Sequence, residues 1–164
     1  MSSRASKFKS SMAVGLKGEV MWAEHLASKG HDVVFSDAGV NYWDLMDSMG
    51  NYYEVKLDEK AMYYAKKHNR PPNMFLEYWS TKRNSFCGVM VLEVDFFVYI
   101  IKSLEKLYTA YVFDYPVFLN HLSVTKYPSR DNSSTGDNNA LGYVVPIETL
   151  TKSEETGFIK SVIL

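Results

Sequence analysis

The sequence predicts a single domain of the α/β (α+β) class, with a central mixed β-sheet flanked by helices. Its length of 164 residues is typical of one domain. Hydrophobic residues make up 46% and aromatic residues 15%, which is enough to form a core and unlike a disordered chain. The periodicity starts as a helix, continues mostly as strands and ends in short helices, a pattern typical of helices packed on one sheet.

A first helix is predicted over residues 12–29, and Gly30 supplies its C-terminal stop. At about 100° per residue, its apolar side chains form one stripe. The members of this stripe are Met12, Leu16, Val20, Ala23, Leu26 and Ala27. Glu19 falls inside the stripe, where a carboxylate is costly to desolvate unless it has a partner or a function.

The rest of the chain reads mainly as strands separated by turns. Strands are predicted over residues 31–36, 42–46, 52–57, 74–79, 95–102, 107–113 and, last, 142–147. Gly-containing turns are predicted over residues 37–41 and 47–51. Helices are predicted over residues 59–67 and near 116–122, with a further short helix after the last strand. The polar segment 128–139 is predicted to be a loop and is the best candidate for disorder.

Residues 1–11 are predicted to be a basic, flexible arm ahead of a single domain at 12–164. The arm is rich in Ser, and its Arg4, Lys7 and Lys9 have no acidic neighbour. Two interpretations are open, a solvated tail or an arm that touches phosphates.

Charge and composition exclude several classes. A net charge of −1 excludes a uniformly basic nucleic-acid coat, although a local basic patch remains compatible. A single cysteine, Cys87, excludes an internal disulfide framework and a four-cysteine zinc site. No transmembrane helix or signal peptide is expected, because no apolar run is long enough. These features favour a cytoplasmic protein without a membrane partner.

The most informative stretch is Asp44, followed by the triplet Glu54, Val55 and Lys56. Alternate residues of a strand share a face, so Glu54 and Lys56 point the same way. A turn centred on Met49 would place Asp44 directly across from Glu54 on that face. Two carboxylates beside an ammonium suit a hard Mg²⁺ ion with a water to activate, and Lys56 could orient that water and balance negative charge.

The order of these residues resembles the PD-(D/E)XK nuclease superfamily. The similarity comprises Glu19 on a first helix, Asp44 at the second strand and Glu54-Val55-Lys56 on the third, and it covers roughly residues 12–102. The opening helix is similar to Holliday-junction resolvases, and the later residues are similar to small phage members. Those later residues are Phe75, Leu76, Glu77, Tyr78, Ser85, Gly88 and Asp95. The chain departs from the motif at Trp43, which stands where the family often has Pro.

The resemblance implies a restriction-endonuclease-like core and a Mg²⁺-dependent (or Mn²⁺-dependent) DNA endonuclease that leaves a 5′-phosphate. Its implied metal ligands are Asp44, Glu54 and the Val55 carbonyl. Lys56 is the implied catalytic lysine, and Glu19 an outer ligand or water-holder. A homodimer is expected by analogy. A phage-encoded member would act in the host cytoplasm.

Each site residue also has a structural interpretation. Glu54 and Lys56 could form a solvated cross-strand pair, Asp44 could cap a turn, and Glu19 could pair with a basic residue. Glu77 is either a further site acid or a structural partner of Lys56.

Two basic segments flank the strand at 74–79 and are candidate phosphate contacts, although solvated loops are an equal alternative. The candidates are Lys66, Lys67, Arg70, Lys82 and Arg83. The histidines lack zinc-ligand spacing, and nothing in the sequence pairs Cys87 with a histidine. The alternative function is a non-catalytic DNA-binding or assembly protein that retains the nuclease fold. A site-specific restriction or homing endonuclease is a third possibility.

Overall fold

A computed structural model describes residues 3–37, 42–105, 107–131 and 140–164, with side chains from Ala13 onward. The helices are α1 (Ser3–Ser28), α2 (Ala61–Lys67), α3 (Tyr115–Val124) and α4 (Ile147–Leu150). The strands are β1 (Val33–Phe35), β2 (Leu45–Asp47), β3 (Tyr52–Asp58), β4 (Asn73–Ser80), β5 (Ser85–Phe86), β6 (Phe96–Lys102), β7 (Tyr108–Asp114), β8 (Ser129–Asp131), β9 (Ala140–Pro146) and β10 (Phe158–Ile163). Short 3₁₀ helices cover Gly88–Met90 and Glu154–Thr156.

The structure confirms a mixed central sheet flanked by helices. Six strands form it in the order β1-β2-β3-β6-β7-β10, and only the β3–β6 pair is parallel. A second, four-stranded antiparallel sheet has the order β5-β4-β9-β8. The expectation of one sheet is therefore wrong. The alternation in β4 reveals a buried face, but it does not reveal which strand pairs with it.

The central sheet buries both faces. On one face, α1 packs against Tyr53, Val55 and Leu57 of β3. On the other, Phe97 and Tyr99 of β6 join a core made with the second sheet and α3. Glu54 and Lys56 alternate with the α1-facing residues, so they point toward the second sheet.

Helix α1 buries a face that is rotated from the predicted stripe and shares only Ala23 and Leu26 with it among the described residues. Leu16 is 56% exposed and Val20 39% exposed, whereas Trp22 is only 2% exposed. Gly18 sets this rotation, because a Cβ built there would lie 2.8 Å from the Leu57 Cβ. The missing side chain lets the helix backbone approach β3, and the Trp22 ring fills the space beside it.

The predicted helix boundaries are confirmed at some ends and corrected at others. Gly30 has φ +88° and donates to the Ala27 carbonyl, which ends α1 as predicted. The start is wrong, since residues 3–11 continue the helix and no Gly or Pro interrupts them. Helix α2 begins after Asp58, whose Oδ1 accepts from the Lys60 and Ala61 N–H groups.

Two predictions near the C-terminus need correction. Part of the predicted 128–139 loop is strand β8, which pairs with β9, while residues 132–139 lie outside the described part. The strand at β9 is not the last, because β10 pairs with β7. Most β10 side chains are exposed, so it lacks the apolar alternation that predicts a strand.

Most of the predicted turn at 37–41 also lies outside the described residues.

Candidate active site

The β2–β3 hairpin brings Asp44 and Glu54 together in the predicted register. Leu45 pairs with Tyr53 and Met46 with Tyr52, which places Asp44 opposite Glu54. The Asp44 N–H also donates to the Tyr53 carbonyl at 2.8 Å. This register fixes where the two carboxyl groups emerge from adjacent chains.

A buried carboxylate at Asp47 holds the turn of this hairpin. Its Oδ1 accepts from the N–H groups of Met49 (2.9 Å) and Asn51 (3.0 Å). Its Oδ2 accepts from Asn51 Nδ2 (2.9 Å) and the Tyr53 hydroxyl (2.8 Å). Burial raises the Asp47 pKa, but these hydrogen bonds outweigh burial and lower that pKa overall. Asp47 therefore fixes the alignment of Asp44 with Glu54 without entering the site.

Asp44 lies one residue before the start of β2. The Val55 N–H donates to its Oδ2 at 2.8 Å. A residue in an extended strand directs its N–H and C=O to the same side, so the Val55 carbonyl also faces this edge. Asp44 and Glu54 thus lie together beside the main chain of Val55.

Burial makes Asp44 and Glu54 hold a proton between them. Burial and the Asp44 charge raise the pKa of Glu54 to about 8, although Lys56 opposes the rise. Burial also raises the pKa of Asp44, while hydrogen bonds from Val55 and Glu54 act against that shift. With Glu54 protonated, the two carboxyl groups are hydrogen-bonded. The pair is a partly buried acidic site whose full ionisation is favoured by a compensating positive charge.

Glu19 approaches this pair from α1, beside the close contact of Gly18 with Leu57. Its side chain is half-buried. Burial and the Asp44 charge raise its pKa, and its own charge raises the pKa of Glu54. Glu19 therefore lies at the rim of the acidic pair, within electrostatic range of Asp44 and Glu54, and its role there stays a prediction.

Tyr115 is a site neighbour that the sequence did not indicate. Its hydroxyl donates to the Val89 carbonyl at 2.9 Å, and its pKa is raised by burial and by the charge of Glu54. Tyr115 and Val89 belong to the core beneath the Glu54 face of the sheet. No periodic signal links residue 115 to residue 54, so only the fold identifies this contact.

Glu77 lies on β4, in the second sheet, next to Cys87. The Cys87 N–H donates to the Tyr78 carbonyl, and a Cβ on Gly88 would lie 2.3 Å from the Glu77 carbonyl oxygen. Burial raises the pKa of the Cys87 thiol. The Glu77 charge adds to that rise, while Arg83 and Lys56 oppose it. The charges of Glu77, Arg83 and Lys56 thus act on one thiol, so Glu77 borders the site on the Lys56 side.

The basic segments occupy opposite ends of β4. Lys66, Lys67 and Arg70 lie just before its start, where the Phe75 N–H donates to the Tyr99 hydroxyl. Lys82 and Arg83 are exposed in the turn between β4 and β5. A strand rises about 3.3 Å per residue, so the eight residues of β4 span roughly 25 Å. The Arg83 charge acts on the Cys87 thiol together with the charges of Glu77 and Lys56, which places the turn that holds Lys82 and Arg83 on that side.

Known proteins give no guide to this arrangement. No family model, curated protein or solved structure matches the chain. Within the described ranges, no group of three or more Asp, Glu, His or Cys side chains is positioned to hold a metal ion. None of the described helices is long and apolar enough to cross a membrane.

Proposed function

We propose that the chain is a Mg²⁺-dependent nuclease that hydrolyses phosphodiester bonds of DNA as an endonuclease. The observation that carries this proposal is the partly buried Asp44–Glu54 pair, with Lys56 on the same strand face and Glu19 at the rim. Keeping two acids and a lysine together in a partly buried place costs stability, so it favours a catalytic role over a solvated surface pair.

The chain order of elements also supports the proposal. Helix α1 is followed by the antiparallel strands β1, β2 and β3, and then by α2 before the parallel partner β6. The proposed restriction-endonuclease-like core rests on this order, with Glu19 on α1, Asp44 just before β2 and Glu54 and Lys56 on β3.

The donor set fits a Mg²⁺ ion. Mg²⁺ is commonly bound by one or two carboxylates, with waters and substrate phosphate completing its shell. Asp44, Glu54 and the Val55 carbonyl would hold it, and Glu19 would hold an outer water. When bound, the ion would lower the pKa of a water and screen phosphate charge.

The chain's own residues supply the remaining requirements. Lys56 would orient the attacking water and balance the negative charge that develops on the phosphate oxygens. The water would lose a proton as its oxygen forms a bond to phosphorus, the bond to the 3′ oxygen would break, and that oxygen would take up a proton. The products are a 3′-hydroxyl and a 5′-phosphate. Lys82 and Arg83 would hold the flanking phosphates beside Glu77.

The test uses supercoiled, linear and branched DNA incubated with Mg²⁺ or Mn²⁺, with and without EDTA. We expect EDTA-sensitive cleavage that Glu54→Gln and Lys56→Met reduce by at least about 100-fold, with thermal unfolding still cooperative. Lys60→Met is the matched control, since Lys60 is exposed at the start of α2. Full activity in either site variant contradicts the proposal. DNA binding without cleavage by the wild-type protein would favour the non-catalytic alternative.

A homodimer is a further part of the proposal. Exposed apolar side chains on α1 and β1 lie outside both core clusters and could meet a second copy. They are Leu16, Val20, Val34 and Phe35. Sedimentation equilibrium of the wild type and of Leu16→Lys measures this directly, and a monomeric wild type at micromolar concentration contradicts it.

A further inference from the structure

A cavity of about 310 Å³ lies on the α1 side of the central sheet, across the sheet from the Glu54 and Lys56 side chains. Its apolar walls include Trp22, Leu26 and Phe96. The Tyr53 and Phe96 rings stack at 5.3 Å beside it, and the Trp22 ring stacks on His25 at 4.9 Å. Its volume is at the lower end of small-molecule sites, which span about 300–1,000 Å³.

The polar lining of this cavity includes two cationic side chains and one acidic side chain. Lys29 and Lys160 contribute ammonium groups, and neither has an ion pair within the described part of the chain. Burial lowers the pKa of His25, and the charges of Lys160 and Lys29 lower it further, so these three groups converge. Asp47 is the acid in the lining, and its oxygens are already used by the β2–β3 turn.

Trp22 adds an independent observation. Its side chain is almost completely buried, and the indole Nε1 has no hydrogen-bond partner among the described residues. A buried donor is normally paired, and Trp22 carries this unpaired one in the wall of the cavity.

We propose that this cavity binds a small organic anion made of a flat apolar ring and one carboxylate or phosphate group. The ring would lie against Trp22 and Phe96, and the anion between Lys29 and Lys160. The residues that would contact the ring and the anion are not part of the acidic site, so the inference is independent of the nuclease proposal.

Two probes distinguish the sources of such an anion, 2-naphthoate for aryl carboxylates and deoxythymidine 5′-monophosphate for nucleotides. NMR follows the indole N–H signals of the three tryptophans during each titration. The variants Trp43→Phe and Trp79→Phe assign the Trp22 signal by elimination. We expect one probe to shift the Trp22 signal saturably, with a Kd of about 1 mM or tighter.

Matched variants separate specific binding from charge alone. Lys29→Gln with Lys160→Gln should weaken binding about tenfold or more, whereas Lys60→Gln with Lys126→Gln should not. Both pairs remove the same charge. The proposal is overturned if neither probe shifts the Trp22 signal, if neutral 2-naphthamide binds as well as the acid, or if the Lys29 and Lys160 pair proves dispensable.

Discussion

The main-chain N–H of Val55 donates a 2.8 Å hydrogen bond to Oδ2 of Asp44, and this contact links the β3 side of the acidic site to the residue that precedes β2. Val55 separates Glu54 from Lys56 along β3. The same contact therefore orients Asp44 toward Glu54 and directs the Val55 carbonyl to their shared edge.

Replacing Asp44 by Asn should lower the pKa of Glu54 toward its ordinary value. The Asp44 charge is a principal cause of the raised pKa, after burial, and an Asn side-chain oxygen can still accept from Val55. The measurement is the pH titration of the Glu54 carboxyl carbon by NMR. Asp32→Asn is the control, because Asp32 is exposed on the loop before β1. An unchanged Glu54 titration would show that the two carboxyls are not coupled.

Stability should fall as pH rises through the range in which Glu54 ionises. The folded state holds this proton up to about pH 8, whereas the ordinary pKa of the group is 4.5. Between these values the folded chain binds more protons than the unfolded chain, so the free energy of unfolding decreases with increasing pH. Thermal unfolding in EDTA at several pH values measures it. The difference between wild type and Glu54→Gln isolates this group, and a difference independent of pH refutes the prediction.

Binding of Mg²⁺ should release a proton near neutral pH. The metal requires ionised carboxylates, whereas the Asp44–Glu54 pair retains a proton there. Calorimetry in two buffers of different ionisation enthalpy gives the number released, and apparent affinity should rise with pH. In Glu54→Gln the release should disappear, while in Glu148→Gln, on the distant helix α4, it should persist. Equal heats in both buffers for the wild type argue against a protonated pair.

The two basic groups should differ in their contribution to DNA binding. Lys82→Ala with Arg83→Ala should reduce the slope of log K against log salt by about 1.8, since each lost phosphate contact contributes about 0.9. Lys66→Ala with Lys67→Ala removes the same charge at the far end of β4 and should change the slope less. Fluorescence anisotropy at several salt concentrations gives both slopes. The reverse order would place the DNA along α2 instead.

Asp47→Ala should destabilise the fold by about 2–4 kcal/mol, because buried donors of the turn lose their acceptor. The affected donors include the main chain of Met49 and Asn51 and the Tyr53 hydroxyl. Urea denaturation measures the change, with Asp32→Ala as an exposed control. A loss below about 0.5 kcal/mol would mean that water replaces the carboxylate.

The sequence predicted the local parts of this site. Alternation in β3 and the turn at residues 47–51 were sufficient to place Asp44 opposite Glu54, since a hairpin register depends on adjacent residues. The rotation of α1 was not predictable in the same way. Its sequence offers two apolar faces, and the choice depends on the contact of Gly18 with Leu57. Tyr115 and the second sheet likewise depend on pairings between distant segments.

The suggested arm at residues 1–11 is only partly described. Its backbone from Ser3 is helical, but the side chains before Ala13 lie outside the described part. The role of this segment in phosphate binding, and of Lys7 and Lys9 within it, therefore stays a prediction. Removing residues 1–11 and measuring the salt dependence of DNA binding tests it.

The parallel pairing of β3 with β6 has a consequence for biosynthesis. The β2–β3 hairpin can form from contiguous residues. The pairing of Val55 with Val98 requires β6, and the packing of Tyr115 near Glu54 requires a still later segment of the chain. Long-range pairing of this kind forms slowly. A chain still emerging from the ribosome would carry Asp44 and Glu54 as ordinary solvated acids, so the acidic pair would acquire its raised pKa values only after most of the polypeptide has been made.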